Sequence, residues 1–261
     1  MLGLQVVRYV GQFVRESSQT AGYALTLAAR VFVATPSAFQ PRRMRDILDL
    51  LYAYVLAALP VTALVALVIG MILALNTGKT LVELGQESRI GWLVSATMVR
   101  EMGPLMTAFI LAASLGSGVA AEIGTMKISE EIDALEIMTI SPLHFLILPR
   151  VVAITLVCPA MTTFADIIGT YGGALISNVQ YDVSFRLYQQ EALENLEMKD
   201  LVQSVGKAAV FGLTIALVAS TQGMLTTGGA TGVGRATRHT VVTSFLLVLI
   251  LGYIITWFVY R

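Results

Sequence analysis

Apolar residues in this chain come in long unbroken runs rather than in the alternating or three-to-four-residue patterns of half-buried elements. Leu50–Gly78 carries no charged side chain, and Leu51–Leu75 within it is almost entirely apolar. Met102–Ala121, Ala208–Gly234 and Thr240–Tyr260 are also free of charge, and Val151–Tyr181 holds a single one, Asp166. A helix needs about 20 mainly apolar residues to cross a bilayer. The pattern therefore predicts an all-α membrane protein with five transmembrane helices in residues 50–261 and with its two ends on opposite sides.

Residues 1–34 read differently. Arg8, Gln12, Arg15, Gln19, Thr26 and Arg30 form a polar stripe at helical spacing, with Val6, Val10, Phe13, Val14, Leu25, Ala28 and Phe32 on the other faces. This predicts an amphipathic helix lying in the membrane interface. A signal peptide would need an unbroken apolar stretch after its basic start, and there is none. Residues 35–49 form a basic connector with Arg42, Arg43 and Arg45, and Arg235 and Arg238 precede the fifth run. Basic residues mark the cytoplasmic side, so the N-terminus is expected in the cytoplasm and the C-terminus in the periplasm. The acidic stretch 181–200 becomes an outer loop, with a short helix over Phe185–Leu196.

Composition narrows the function classes. Of 261 residues, 13% are charged, with 17 basic against 17 acidic, about half the share usual in soluble domains. The same numbers exclude disorder and argue against a soluble enzyme and against nucleic-acid binding. One cysteine, Cys158, allows no internal disulfide and no zinc site needing two thiolates, and two histidines, His144 and His239, argue against a His-rich metal site. No cofactor is expected.

The link between the second and third spans carries more than connectivity. In Lys127–Pro142, Ser129 is a good N-cap, and Glu130, Glu131 and Asp133 suit the positive end of a helix dipole. Ile128, Ile132, Leu135 and Met138 share one face, and Pro142 ends the helix. An acidic amphipathic helix over about 128–140 follows. It is a poor ligand for anionic lipid, so a protein partner suits it better than the membrane surface.

Other polar residues stand where apolar ones are expected. Arg100 and Glu101 precede Gly103-Pro104, a kink signal. Charges there need a cavity, a partner or the interface. Leu93, Val94, Met98 and Met102 surround them and could line acyl chains, methionine adapting to varied shapes. Ser114, Gly116, Ser117, Gly118, Ala120 and Ala121 allow close helix packing, and Glu122 follows at the inner end. Asp166 is either functional or satisfied by a hydroxyl such as Thr162, Thr163 or Thr170.

Two apparent phosphate loops fail on inspection. Gly229–Ala236 has the glycine spacing but lacks the lysine and the magnesium-binding hydroxyl, and Gly78-Lys79-Thr80 has Leu73 where the first glycine belongs. Ser117 and His239 are better explained by packing and by a loop than as a catalytic pair. No catalytic residue is expected, and ATP hydrolysis would belong to another chain.

Three segments together resemble the MlaE/YrbE family, the permease subunits of bacterial ABC lipid transporters that work with MCE-domain proteins. They are Ala121–Pro142, Arg100-Glu-Met-Gly-Pro104, and Gly228–Thr237 followed by Thr240-Val-Val242; Pro149-Arg150 also fits. Ser114 departs from the basic residue many members carry there. The resemblance implies a homodimer in the bacterial inner membrane, an ABC ATPase docked on each copy, an MCE-domain lipid-binding protein on the outer side and room for a small regulatory cytoplasmic subunit. It places Glu130, Glu131, Asp133, Leu135 and Glu136 against the ATPase and Arg100 and Glu101 beside a phospholipid cavity. The rival class is an ion- or proton-coupled carrier using Asp166, Glu101 and Glu122. Such carriers usually show internal repeats, and none is visible here.

Overall fold

The computed structural model describes residues 18, 20–36, 41–259 and 261. Of the stripe expected over residues 1–34, Arg8, Gln12, Arg15 and Gln19 lie outside the described residues, and Thr26 and Arg30 are exposed. Among those described there are helices and no strands. A short apolar helix, α1 (Thr20–Ala34), comes first. It buries Leu27 and Val31 against the body while Leu25 and Phe32 stay exposed.

Among the described residues five stretches are long and apolar enough to cross a membrane. The first is in α2 (Pro41–Glu83), which opens on proline, tolerated at a first helical position because its missing N–H would be unpaired anyway. The second, Glu87–Ile128, is composite: α3 (Ile90–Thr97), α4 (Gly103–Leu111) and α5 (Ser117–Ile128) are joined by π-helical turns at Met98–Met102 and Ala112–Gly116. The two-turn α6 (Glu131–Ile137) leads to a π turn at Leu143–Ile147 and the third span, α7 (Leu148–Tyr181). Then come α8 (Phe185–Glu194), α9 (Met198–Met224) and α10 (Gly229–Val259).

Helix α7 is central, packed between α2 and α9, with α10 against α9 and α5. Small residues set these distances. A β-carbon on Gly70 of α2 would collide with the Gly169 carbonyl of α7, and one on Gly172 with the carbonyl of Leu67. Backbones this close are the usual way helices gain contact in lipid. Helices α2 and α10 bury much less of themselves than the other spans.

Several boundaries differ from the sequence expectation. Span four starts at Met198, ten residues before its charge-free run, and span five starts at Gly229. The glycine-rich 229–236 segment is thus the opening of α10. Ser129 is not an N-cap: its hydroxyl donates to the Thr125 carbonyl at 3.0 Å and it closes α5. Glu130 precedes α6 instead, in a left-handed conformation with φ 60°. The helix predicted over 128–140 is accordingly shorter. On its apolar face Ile132 is buried and Leu135 half-buried, but Met138 is 60% exposed.

Candidate functional site

The site grows from one missing hydrogen. In an α-helix the N–H of residue 104 would bond the carbonyl of residue 100, but Pro104 has no N–H. The helix widens into the π turn Met98–Met102, in which the Gly103 N–H bonds the Met98 carbonyl. The Arg100 carbonyl is then taken from outside, by the ammonium of Lys207 at 2.8 Å. Such turns occur often at functional sites because they free backbone groups for other partners.

Lys207 comes from α9 and is 1% exposed. Its Nζ also lies 2.8 Å from Glu101 Oε1, which accepts a further bond from the Thr256 hydroxyl of α10 at 2.9 Å. Arg100 turns the other way, its Nη2 lying 2.9 Å from Asp200 Oδ2. Asp200, the third residue of α9, also accepts the Glu197 N–H and so closes a capping box. Two cations and two anions from two chain segments balance within this cluster. Arg100 and Glu101 remain about a third exposed, their side chains at 30% and 36%, while Asp200 and Lys207 are enclosed.

Asp200, Gln203, Ser204 and Lys207 form one buried polar stripe along α9. Ser204 donates to Asp166 Oδ2 of α7 at 3.2 Å. The hydroxyl on Asp166 comes from a neighbouring helix and not from Thr162, Thr163 or Thr170, and it reaches one of the two carboxylate oxygens. The other carboxylate oxygen presses against Gly103, where a β-carbon would collide with it. Of the remaining residues named above, Val94 and Met98 are packed in the core, and Leu93 and Met102 are half-buried.

A second ion pair lies toward α6. Arg150, buried at the start of α7, binds Glu122 of α5 and donates to the Leu146 carbonyl at 2.8 Å. Glu130 just before α6 and Glu131, Asp133 and Glu136 on it are exposed, and Asp133 is held by Lys127 at 2.7 Å. At the other end α8 carries Tyr188, whose phenol is pushed above its ordinary range by burial.

Sequence reasoning missed Asp200, Lys207, Arg150 and Thr256. Asp200 and Lys207 read as polar loop residues next to a charge-free run. The usable signal was spacing: positions 200, 203, 204 and 207 recur at three, one and three, which places them on a single helical face.

Comparison with known proteins decides the family. Residues 47–258 match the family described as Permease MlaE. The chain belongs to the MlaE permease family. A probable ABC transporter permease protein of Rickettsia typhi is 31% identical over 99% of both chains. One from Synechocystis is 33% identical over 74% of this chain and 73% of its own. Protein TRIGALACTOSYLDIACYLGLYCEROL 1, chloroplastic, of Arabidopsis thaliana is 32% identical over 78% of this chain and 58% of its own. As an MlaE-family permease the chain is the membrane subunit of an ABC transporter and works with an ATPase partner. That assignment displaces the ion-coupled carrier as a reading of Glu101, Glu122 and Asp166.

Proposed function

We propose that this permease moves phospholipid between the bacterial inner membrane and an MCE-domain carrier on the outer side, driven by a separate ATPase. The observation that carries the reading is the Arg100–Asp200 and Glu101–Lys207 cluster, set in spans and still about a third open at Arg100 and Glu101. Charges are costly in hydrocarbon, and here each has a partner of opposite sign. A phosphate can exchange for Asp200 on the Arg100 guanidinium, and an amine headgroup for Lys207 on Glu101. Leu93 and Met102 would meet the acyl chains, with Met98 and Val94 behind them. The Arabidopsis relative bears the name of a glycerolipid, which supports a lipid substrate.

The partners follow from the exposed surfaces. The acids of α6 and Leu135 dock the ATPase, which puts α6 and the N-terminus in the cytoplasm and the C-terminus in the periplasm. The lightly buried α2 and α10 supply the faces for a second copy. A small regulatory subunit would join on the cytoplasmic side. The test is lipid transfer by the complex reconstituted in vesicles. Arg100→Ala and Glu101→Ala should keep the ATPase bound yet lose most transfer of labelled phospholipid. Wild-type transfer by both variants would refute the site.

A further inference from the structure

Helices α3, α7, α8 and α9 enclose a groove of about 380 Å³ that the ion cluster does not use. Its lining along α7 runs from Thr163 to Ala174, a length of about 16 Å at helical rise. That matches one leaflet, half of a hydrocarbon core about 30 Å thick. The side walls are apolar and open outward: Ile167 is 64% exposed, Tyr171 57% and Leu193 66%. These are faces of spanning helices and of α8, so the groove is continuous with the surface that meets lipid.

Its two ends differ. At the Ala174 end α8 covers the mouth, fixed to α3 by the Ser95 hydroxyl donating to the Ala192 carbonyl at 3.3 Å. The backbones there approach so closely that a β-carbon on Gly91 would collide with the Tyr188 carbonyl. At the other end Asp166 and Ser204, bonded to each other, interrupt the apolar lining. A slot that is mainly apolar, with Ser95, Thr163, Thr170 and Gln189 as the other polar residues of its lining, one leaflet deep and open to the bilayer fits a hydrocarbon chain. We infer that this groove seats one acyl chain of a glycerolipid from the leaflet on the α8 side.

The seat is tested by occupancy, so its failure would leave the transport reading untouched. Vesicles containing the full chain would carry a phosphatidylcholine with a photoreactive diazirine at its acyl terminus. Illumination should label residues 163–171 and 201–205 at least fivefold more than the exposed face of α10 around Leu246. Filling the groove with Thr170→Trp or Val205→Trp should lower that labelling at least fivefold, and Leu246→Trp should leave it unchanged. Native mass spectrometry of the same variants should show one retained diacyl lipid lost only in the groove-filled chains. Equal labelling of groove and α10 in the unaltered protein would overturn the proposal, and that comparison does not depend on any variant folding.

Discussion

Pro104 and Lys207 meet at one carbonyl: the proline has no N–H to offer the Arg100 carbonyl, and the Lys207 ammonium donates to it at 2.8 Å. Lys207 also faces Glu101 and is almost fully buried, so replacing it leaves both a carbonyl and a carboxylate short of a donor. Breaking a buried pair from one side costs about 3–5 kcal/mol, less here because Glu101 is 36% exposed. Lys207→Met should therefore lower the thermal unfolding midpoint in detergent substantially. Lys207→Met with Glu101→Gln should recover part of the loss. Pro104→Ala should also offset Lys207→Met, since its N–H can satisfy the carbonyl. Strictly additive effects in the Pro104–Lys207 cycle would show that the two are uncoupled.

Gly103 is constrained by a side chain, not by its own dihedrals. Asp166 Oδ1 occupies the space of its missing β-carbon. Gly103→Ala must push the carboxylate away from Ser204 or move α4 off α7, and overpacking of this kind costs about 1–3 kcal/mol. Removing the obstacle should relieve it: Gly103→Ala with Asp166→Ala is expected to be more stable than the sum of the single changes. Melting curves for the three variants give the coupling directly.

How far these features could be read from sequence depended on what enforces them. A bilayer demands long apolar stretches, so all five spans were legible from runs with at most one charge. Their ends were not, because Asp200 and Lys207 lie inside α9, paired with Arg100 and Glu101, which stand 100 and 106 positions away in the chain. Pairing at that separation leaves no local trace, and an unpaired reading assigns such residues to a loop. The kink at Gly103-Pro104 was visible, since proline acts locally, but not the lysine that completes it. The α6 acids were equally plain. Their helix came out short because Ser129 bonds back to Thr125 rather than forward.

Orientation can be settled by labelling. Cys158 is fully buried, and with Cys158→Ser the chain offers no native thiol. Asp133, Gln190 and Thr231 are all exposed. Single cysteines at 133 and 231 should react only with reagents that enter the cytoplasm, and one at 190 should react with an impermeant maleimide from outside. Reaction of position 133 from outside would reverse the assignment of both ends.

The docking role of α6 needs a test that separates contact from folding. Asp133 is unsuitable alone, because Lys127 holds it and its replacement would disturb the turn between α5 and α6. Glu131 and Glu136 are exposed, and the ion pair of Lys127 is with Asp133. Reversing them replaces two negative charges by two positive ones on a surface proposed to meet a complementary groove, and like charges brought together across an interface cost several kcal/mol. Glu131→Lys with Glu136→Lys should therefore reduce recovery of the ATPase on affinity purification at least tenfold. Membrane insertion and the melting midpoint of the permease should stay near their original values. Raising ionic strength should narrow the gap between variant and original, since screening shortens the reach of exposed charges to about 8–10 Å at moderate salt. A partner retained at full yield would place the ATPase contact on another part of the α6 end, such as the exposed start of α2 around Asp46.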